Sequence, residues 1–269
     1  MEPIPVAVYR RTVRASLARI WENVLDWEHL PWLHRETFAH VHLLSHHRDG
    51  WRARTAMRAP EGSPDLELEV ELERSRLCYH SRTVAGPGAD SDIFTRLEPV
   101  DADATRIVVE FRVPGVAPEH ATAVGGWYTR LYERLWDQDE AMMTRRQAVL
   151  DAPLSPVFSP TPQPLGSLEA VRTRLPLVVD FDGRSFRLVE VDGAIVAHPT
   201  VCPHQGGPLT DVAVQDGCVI CPWHGYRFDV RTGMSADGRG LRLDAAPRVV
   251  VAADSQCTLG WDAFAATAR

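Results

Sequence analysis

The chain has 269 residues, of which 45% are hydrophobic and 24% are charged, as is ordinary for a soluble globular protein. Its formal net charge of −7 argues against a general nucleic-acid binder, which usually carries a basic face. None of its 29 basic residues is a lysine, so any mechanism that needs a lysine amine, such as a Schiff base, is excluded.

Targeting signals are the first feature to look for along the chain. Arg10 and Arg11 could be mistaken for a twin-arginine export signal, but charged residues interrupt the segment after them and leave no apolar signal core. No stretch approaches the ~20 apolar residues that a membrane span needs. Five cysteines are too few for a secreted disulfide scaffold. We therefore expect a cytoplasmic protein that binds neither membranes nor nucleic acid.

A proline-rich segment divides the chain. Residues 153–167 contain five prolines and no charged residue, a composition that favours extended, semi-rigid backbone with few packing contacts. The length agrees with two domains, since ~150 residues is a common domain size. We predict a first domain over residues 1–152, a linker over 153–167 and a second domain over 168–269.

The first predicted domain mixes helices and strands. A strand-like segment over residues 6–13 precedes a helical pattern over 17–25, and the run HLPWLH then suits a turn or a helix start. Residues 38–114 show strand patterns, such as the alternation in DLELEVELE, and a long helical pattern follows over about 120–150. This order resembles the helix-grip (START-like) α+β fold. In that fold a curved sheet wraps around one helix and leaves a ligand cavity.

The second predicted domain is all-β. Its short strand-like runs alternate with Asp-Gly pairs at 182–183, 192–193, 216–217 and 237–238. Such pairs mark tight hairpins, because both residues tolerate the left-handed backbone conformation. We expect a small antiparallel sandwich or barrel.

Two short loops of this domain carry a metal-binding pattern. The runs VCPHQGGPL and CVICPWHGYRFD place ligands at Cys202, His204, Cys221 and His224. Two thiolates and two imidazoles could hold zinc, which is the alternative reading. The prolines after each cysteine and the glycines at 206, 207 and 225 instead resemble the Rieske motif. In that motif two cysteines hold one iron of a [2Fe-2S] cluster and two histidines hold the other.

The remaining cysteines and a dense histidine group are expected to have no metal role. Free cysteine is usually a small buried residue, and we expect this of Cys78, Cys218 and Cys257. The histidines at 40, 42, 46 and 47 fall in a strand and the polar turn after it, and we expect them at the surface.

A second metal pattern lies in the first domain. The segment ENVLDWEHLPWLHRETF contains Asp26, His29 and His34 as D-x-x-H-x-x-x-x-H. Two histidines at this spacing are often structural. The segment nevertheless resembles the mononuclear-iron motif of Rieske non-haem iron oxygenases, down to Asn23. In that family two histidines and one carboxylate hold the iron and leave positions open for O₂.

The long last helix of the first domain offers the missing carboxylate. Asp139 lies on its apolar stripe, four residues after Leu135 and three before Met142, whereas Glu133, Asp137 and Glu140 fall toward faces expected to be solvated. A carboxylate on an apolar face is costly unless it is paired or bound to metal. The segment QDEAMMTRRQ also resembles the family's segment around its third ligand. An ion pair between Asp139 and a nearby arginine is the alternative.

The resemblance implies a role for each of these residues. His29, His34 and Asp139 would bind iron(II), and Asp26 would bridge an iron-ligand histidine to a Rieske histidine, with His224 as the expected partner. The resemblance covers both domains but in reversed order, since family members usually carry the cluster domain first. The family's ring of three subunits suggests a homotrimer here.

A two-centre Rieske oxygenase is thus the predicted function. It would take electrons from a reductase or ferredoxin and use O₂ to hydroxylate or oxidatively dealkylate an organic substrate. Two alternatives lack the mononuclear iron: a Rieske ferredoxin-like electron carrier, or a redox sensor, each fused to a START-like ligand-binding domain.

Overall fold

The structure is a computed structural model that describes residues 5–152 and 158–261, and the chain divides into two units between Ala148 and Val149. Among the described residues, no helix is both long enough and apolar enough to cross a bilayer.

The first unit is built on one antiparallel sheet of seven strands, in the order β1-β7-β6-β5-β4-β3-β2. Two α-helices accompany it, α1 (Leu17–Leu25) between β1 and β2 and α2 (Pro118–Asp151) after β7. Short 3-10 turns lie at Trp27–His29 and Arg74–Arg76. The strands are β1 (Ala7–Val13), β2 (Phe38–His47), β3 (Gly50–Met57), β4 (Leu66–Glu73), β5 (Cys78–Ala85), β6 (Asp92–Pro99) and β7 (Thr105–Arg112).

Strand β4 shows how the sequence pattern sets the two faces of this sheet. Its leucines and valine alternate with glutamates, and successive side chains of a strand point to opposite faces. Val70 and Leu72 are buried in the core, whereas Glu67 pairs on the outer face with Arg52 at 2.7 Å. The inner face packs against α2, where the ring of Phe111 stacks on Tyr128 with centroids 5.1 Å apart. This arrangement is the helix-grip α+β fold that the sequence predicts.

The second unit consists of short antiparallel strands in three sheets, β11-β10-β9, β12-β13 and β14-β15-β8. Its core gathers around Phe181, Phe186, Leu188 and Leu259. Its elements are β8 (Gln163–Ser167), α3 (Leu168–Arg172), β9 (Leu177–Phe181), β10 (Arg184–Val191), β11 (Ala194–Pro199), β12 (Cys218–Ile220), β13 (Arg227–Asp229), β14 (Arg248–Val251) and β15 (Gln256–Gly260).

Three of the four Asp-Gly pairs have the backbone expected of tight hairpins. Asp182, Asp192 and Asp216 have φ of 50°, 51° and 51°, and the glycine after each also has positive φ. At 237–238 only Gly238 has positive φ, so this pair does not form the same turn.

The predicted linker overlaps the second unit. Residues 153–157 lie outside the described residues, but Gln163–Ser167 form β8, which pairs with β15. Pro164 fits there because β8 is an edge strand, and the missing N–H of a proline is tolerated at an edge. Proline density therefore marks the boundary region but overstates the length of the unpaired segment.

Candidate functional site

The three side chains predicted to bind iron lie together inside the first unit. Nε2 of His34 is 3.0 Å from Oδ1 of Asp139, and Nε2 of His29 is 3.5 Å from the same oxygen. One donor atom from each residue lies within 4.8 Å of the other two, and all three residues are buried. These residues, remote in sequence, thus form one compact N,N,O donor set.

Two consecutive turns carry the histidines to the same place. His29 ends the 3-10 turn after α1, and its carbonyl accepts a backbone hydrogen bond from Leu33 at 2.8 Å. The carbonyl of His34 accepts from Thr37 and Phe38, at 2.8 and 3.0 Å, just before β2 begins. The two rings lie 5.0 Å apart at 76° to each other, so their Nε2 atoms can converge on one point.

Each member of the set has a polar neighbour on its outer side. Oε1 of Gln138 lies 2.7 Å from Nδ1 of His34, and Nδ2 of Asn23 donates to Oδ1 of Asp139 at 3.2 Å. Oδ2 of Asp26 lies 3.7 Å from Nδ1 of His29, which is too long for a hydrogen bond. That Nδ1 atom is buried and makes no hydrogen bond with any described residue.

His34 and Asp139 each shift the pKa of the other toward its charged form. Burial alone would raise the pKa of Asp139, but the attraction of His34 and its hydrogen bond lower that pKa below the usual aspartate value. Burial alone would lower the pKa of His34, but Asp139 raises it above the usual histidine value. The carboxylate is therefore held ionised in the interior, which is the state that a metal requires of it.

The donor set fits a mononuclear iron(II) site. Two imidazoles and one carboxylate on one face are the usual ligands of non-haem iron that keeps open coordination positions. The arginine pairing considered for Asp139 is not what the structure shows, since its partners are His34, His29 and Asn23.

A neighbouring carboxylate differs from the sequence expectation. Glu140 is buried rather than solvated, and it accepts hydrogen bonds from the backbone N–H of Arg14 at 3.0 Å and from Nε of Arg14 at 3.1 Å. It also pairs with Arg11, which in turn bonds Asp137 at 2.6 Å. These bonds tie α2 to the end of β1 next to Asp139 and so fix the position of that carboxylate along the sheet.

A cavity of about 390 Å³ adjoins the donor set. Its wall comes from the inner face of the sheet and from α2, and it is mostly apolar and aromatic. Asn23, Asp26, His29, His34 and Asp139 are at one part of the wall, and no arginine of the described chain lines it. Other lining residues are Phe38, Trp51, Leu68, Val70, Tyr79, Ser81, Thr83, Ile93, Trp127, Tyr128, Leu131, Tyr132, Leu135 and Trp136.

The predicted surface histidines lie away from these ligands. His42, His46 and His47 on β2 are exposed, and the half-buried His40 pairs with Asp65 at 3.1 Å. Cys78, Cys218 and Cys257 are buried free cysteines, which confirms the interpretation of them as core residues.

In the second unit, the two loops with the Cys-His pattern share one backbone arrangement. The N–H of Cys202 donates to the carbonyl of Gly207 at 2.9 Å, and that of Cys221 donates to Tyr226 at 2.8 Å. Each cysteine carbonyl accepts in return from the glycine four residues on, Gly206 or Gly225. These glycines have φ of +82° and +69°, a conformation that other residues rarely adopt.

The four predicted cluster ligands meet between these loops. Nδ1 of His204 lies 3.3 Å from Nδ1 of His224, and both cysteines are buried. The Cys202 thiol donates a hydrogen bond to Cys221, which lowers the pKa of Cys221 and raises that of Cys202. Two cysteines this close could, as thiolates, hold one iron between them.

The residues around these four side chains are closely packed and include two aromatic rings. A Cβ atom at Gly207 would lie 2.5 Å from Sγ of Cys221, so only glycine fits there. The ring of Tyr226 stacks on His204 with centroids 4.2 Å apart, and Phe228 is fully buried. Two aromatic residues are thus available to cover a cluster, and the residues fit a [2Fe-2S] group.

Gln138 was not identified from the sequence as a partner of the site. It precedes Asp139 on α2, and its side chain reaches His34 from the side opposite to that ligand. A glutamine beside a predicted ligand gives no periodic or compositional signal. Only the fold shows which histidine nitrogen it meets.

Comparison with known proteins supports the identification of the second unit. Residues 161–243 match the family model of the Rieske [2Fe-2S] domain. This match favours the iron-sulfur cluster over the zinc alternative. It covers less than half of the chain, so it identifies a domain and not the whole protein.

Similar curated proteins match only in part. Apoptosis-inducing factor 3 of Mus musculus is 36% identical over 93 residues, which are 30% of this chain and 15% of that protein. The ferredoxin component of the naphthalene 1,2-dioxygenase system of Pseudomonas putida is 37% identical over 57 residues, 21% of this chain and 55% of that protein. Among solved structures, the Zhui aromatase/cyclase from Streptomyces sp. R1128 has a TM-score of 0.46 and 15% identity, covering 55% of this chain and 98% of that chain.

Proposed function

We propose that the chain is a Rieske-type non-haem iron oxygenase that hydroxylates or oxidatively dealkylates an organic substrate with O₂. The observation that carries the proposal is the donor set itself. His29, His34 and Asp139 converge within the first unit and adjoin a cavity large enough for an organic molecule. When bound, iron(II) would supply the activation of O₂, and the [2Fe-2S] cluster would supply single electrons.

The chain's own residues have defined tasks in this proposal. The Nε2 atoms of His29 and His34 and a carboxylate oxygen of Asp139 would hold the metal. Gln138 accepts a hydrogen bond from Nδ1–H of His34, so Nε2 is the ring nitrogen that can give up its proton and bind the metal. The apolar cavity wall would orient the substrate and exclude water from the reacting end.

Asp26 is proposed as the link for electron transfer. Its carboxylate, 8% exposed, faces Nδ1 of His29 at 3.7 Å. A small rotation of either side chain would close a hydrogen bond that orients the imidazole, as outer partners of metal ligands do. On this proposal, electrons from the cluster histidine His224 would reach His29 by way of Asp26.

The partners follow from the same proposal. A reductase or ferredoxin would reduce the cluster, and a homotrimer would place the cluster of one chain beside the iron site of its neighbour. Sedimentation of the full chain measures the subunit number directly, and a monomer would require transfer within one chain.

An electron carrier or redox sensor without mononuclear iron is the second candidate. It is favoured by the curated relatives, since one of them is a ferredoxin component. His34 and Asp139 also satisfy each other at 3.0 Å without a metal, as a purely structural pair would.

Iron and acid-labile sulfide per chain distinguish these candidates, measured on protein purified without oxygen and supplied with iron(II). The oxygenase proposal requires three irons and two sulfides, with one iron lost in His29→Ala and retained in the matched control His42→Ala. Substrate-dependent O₂ consumption should be lost with that iron. Two irons in the unaltered chain would leave the carrier or the sensor, and a ligand affinity that changes with cluster reduction would single out the sensor.

A further inference from the structure

The cavity of the first unit is lined by hydroxyl groups that make no hydrogen bond with the described residues of the protein. Ser81 and Thr83 on β5 and Tyr132 on α2 all line it, and the side-chain hydroxyls of all three make no hydrogen bond with any described residue.

Tyr132 is the most unusual of the three. Its phenol is enclosed by the fold, and this burial raises its pKa well above the usual tyrosine value, so the hydroxyl keeps its proton. Its ring is held edge-on against Phe111 with centroids 4.9 Å apart. A fixed, protonated hydroxyl on the cavity wall, with no partner among the described residues, can donate a hydrogen bond to a ligand.

Tyr132 and Asp139 lie at different points along the part of α2 that lines the cavity. Both residues line it from α2, and seven residues of helix separate their Cα atoms by about 10.5 Å along the helix axis. Asp139 therefore lies toward one end of this face of α2, and the Cα atom of Tyr132 lies about two turns earlier.

The charged groups on the cavity wall indicate which net charge a ligand can carry there. Apart from the donor set and Asp26, its described members are apolar, aromatic, amide or hydroxyl residues, so away from the donor set a carboxylate or phosphate would meet no cation. Burying such an unpaired charge is strongly unfavourable. A cavity of about 390 Å³ is at the lower end of the range of about 300–1,000 Å³ for ligand pockets, which suits a ligand of two or three fused rings.

We propose that the cavity binds an uncharged, ring-containing molecule that carries a hydroxyl or carbonyl oxygen, and that Tyr132, with Ser81 and Thr83, recognises this oxygen. Hydroxyl groups both donate and accept, so they can pair with either kind of oxygen. That this molecule is the substrate rests on the proposed oxygenase function. That the cavity binds such a molecule does not depend on that function.

Equilibrium dialysis of the full chain against four matched probes tests the inference. The probes are fluorene, 9-fluorenol, 9-fluorenone and fluorene-9-carboxylate. Because a net hydrogen bond contributes about 1 kcal/mol, Tyr132→Phe should lower the preference for 9-fluorenone over fluorene about fivefold. Ser81→Ala and Thr83→Val should reduce the preference for 9-fluorenol. The carboxylate should bind at least a hundredfold more weakly than either oxygenated neutral probe.

Tyr9→Phe is the matched control, because Tyr9 belongs to the same unit but does not line the cavity, and it should leave the probe ratios within twofold. Unchanged ratios in Tyr132→Phe, Ser81→Ala and Thr83→Val together would overturn the proposal. So would tight binding of the carboxylate, or failure of the unaltered chain to bind either oxygenated neutral probe. Dialysis needs neither iron nor turnover, so its outcome is separate from the iron count that tests the oxygenase.

Discussion

The amide oxygen of Gln138 lies 2.7 Å from Nδ1 of His34, while Asp139, the next residue on α2, lies 3.0 Å from Nε2 of the same ring. Two adjacent residues of one helix thus contact the two nitrogens of one imidazole. Because an amide oxygen can only accept, it fixes the proton on Nδ1 and leaves the Nε2 lone pair for a metal.

Removal of this amide should weaken metal binding without unfolding the chain. We expect Gln138→Leu to lower the affinity for iron(II), or for cobalt(II) as a spectroscopic substitute, by 10- to 100-fold, the usual effect of losing an outer partner of a ligand. Gln138→Glu keeps an accepting oxygen and should restore most of the affinity. The exposed Glu133→Gln on the same helix is the control, and an equal loss there would contradict the role of Gln138.

Glu140 should stabilise the first unit although it binds no metal. Its carboxylate satisfies the backbone and side chain of Arg14 and pairs with Arg11. We expect Glu140→Gln to lower the free energy of unfolding by about 1–3 kcal/mol, because the partly buried network loses its negative charge and one of its two acceptor oxygens. Urea unfolding of the metal-free chain measures this. Glu133→Gln, an exposed change, should stay within about 0.5 kcal/mol.

Gly207 should be indispensable for the cluster. A methyl group there would lie 2.5 Å from Sγ of Cys221, well inside van der Waals contact. We expect Gly207→Ala to lose more than half of the acid-labile sulfide and of the visible absorption of the cluster. Gly260→Ala is the matched control in the same unit, since its new methyl group would meet Pro162 at an ordinary 3.4 Å. Full cluster content in Gly207→Ala would show that the loop moves freely.

His198 should make the stability of the second unit depend on pH. Burial lowers its pKa below the ordinary value of about 6.5, and its Nδ1–H donates to the carbonyl of Pro199 at 2.9 Å. The folded state therefore favours the neutral ring. This contribution is fully present above pH 6.5 and is lost as the pH falls through 6.5 toward the lowered pKa.

The measurement is urea unfolding of the cluster-loaded chain at several pH values between 7.5 and 5.5. His198→Gln should show a smaller loss of stability on acidification, by up to about 1.4 kcal/mol per pH unit for one titrating group. Exposed His46→Gln should keep the slope of the unaltered chain. Equal slopes in His198→Gln and the unaltered chain would assign the pH dependence to other groups.

Much of the site could be predicted because its residues fall on periodic elements or in spaced motifs. The apolar stripe of a helix predicts an inward-facing Asp139, which is buried, and the Cys-His spacing predicts two loops that meet, as they do. Glu140 was assigned to solvent because its partners Arg11 and Arg14 lie more than 120 residues away, and helical periodicity carries no information about such contacts. Likewise, the prolines near residue 163 indicate a linker, whereas pairing with β15 makes that stretch an edge strand.

The matching backbone bonds of the two Cys-His loops have a consequence for how the cluster is assembled. Each loop closes through hydrogen bonds among its own six residues, from Cys202 to Gly207 and from Cys221 to Tyr226. Because these bonds span only six residues, closing each loop costs little chain entropy. The cysteine and the histidine of each pair are therefore brought together by local backbone bonds, and only the approach of the two loops depends on the rest of the unit.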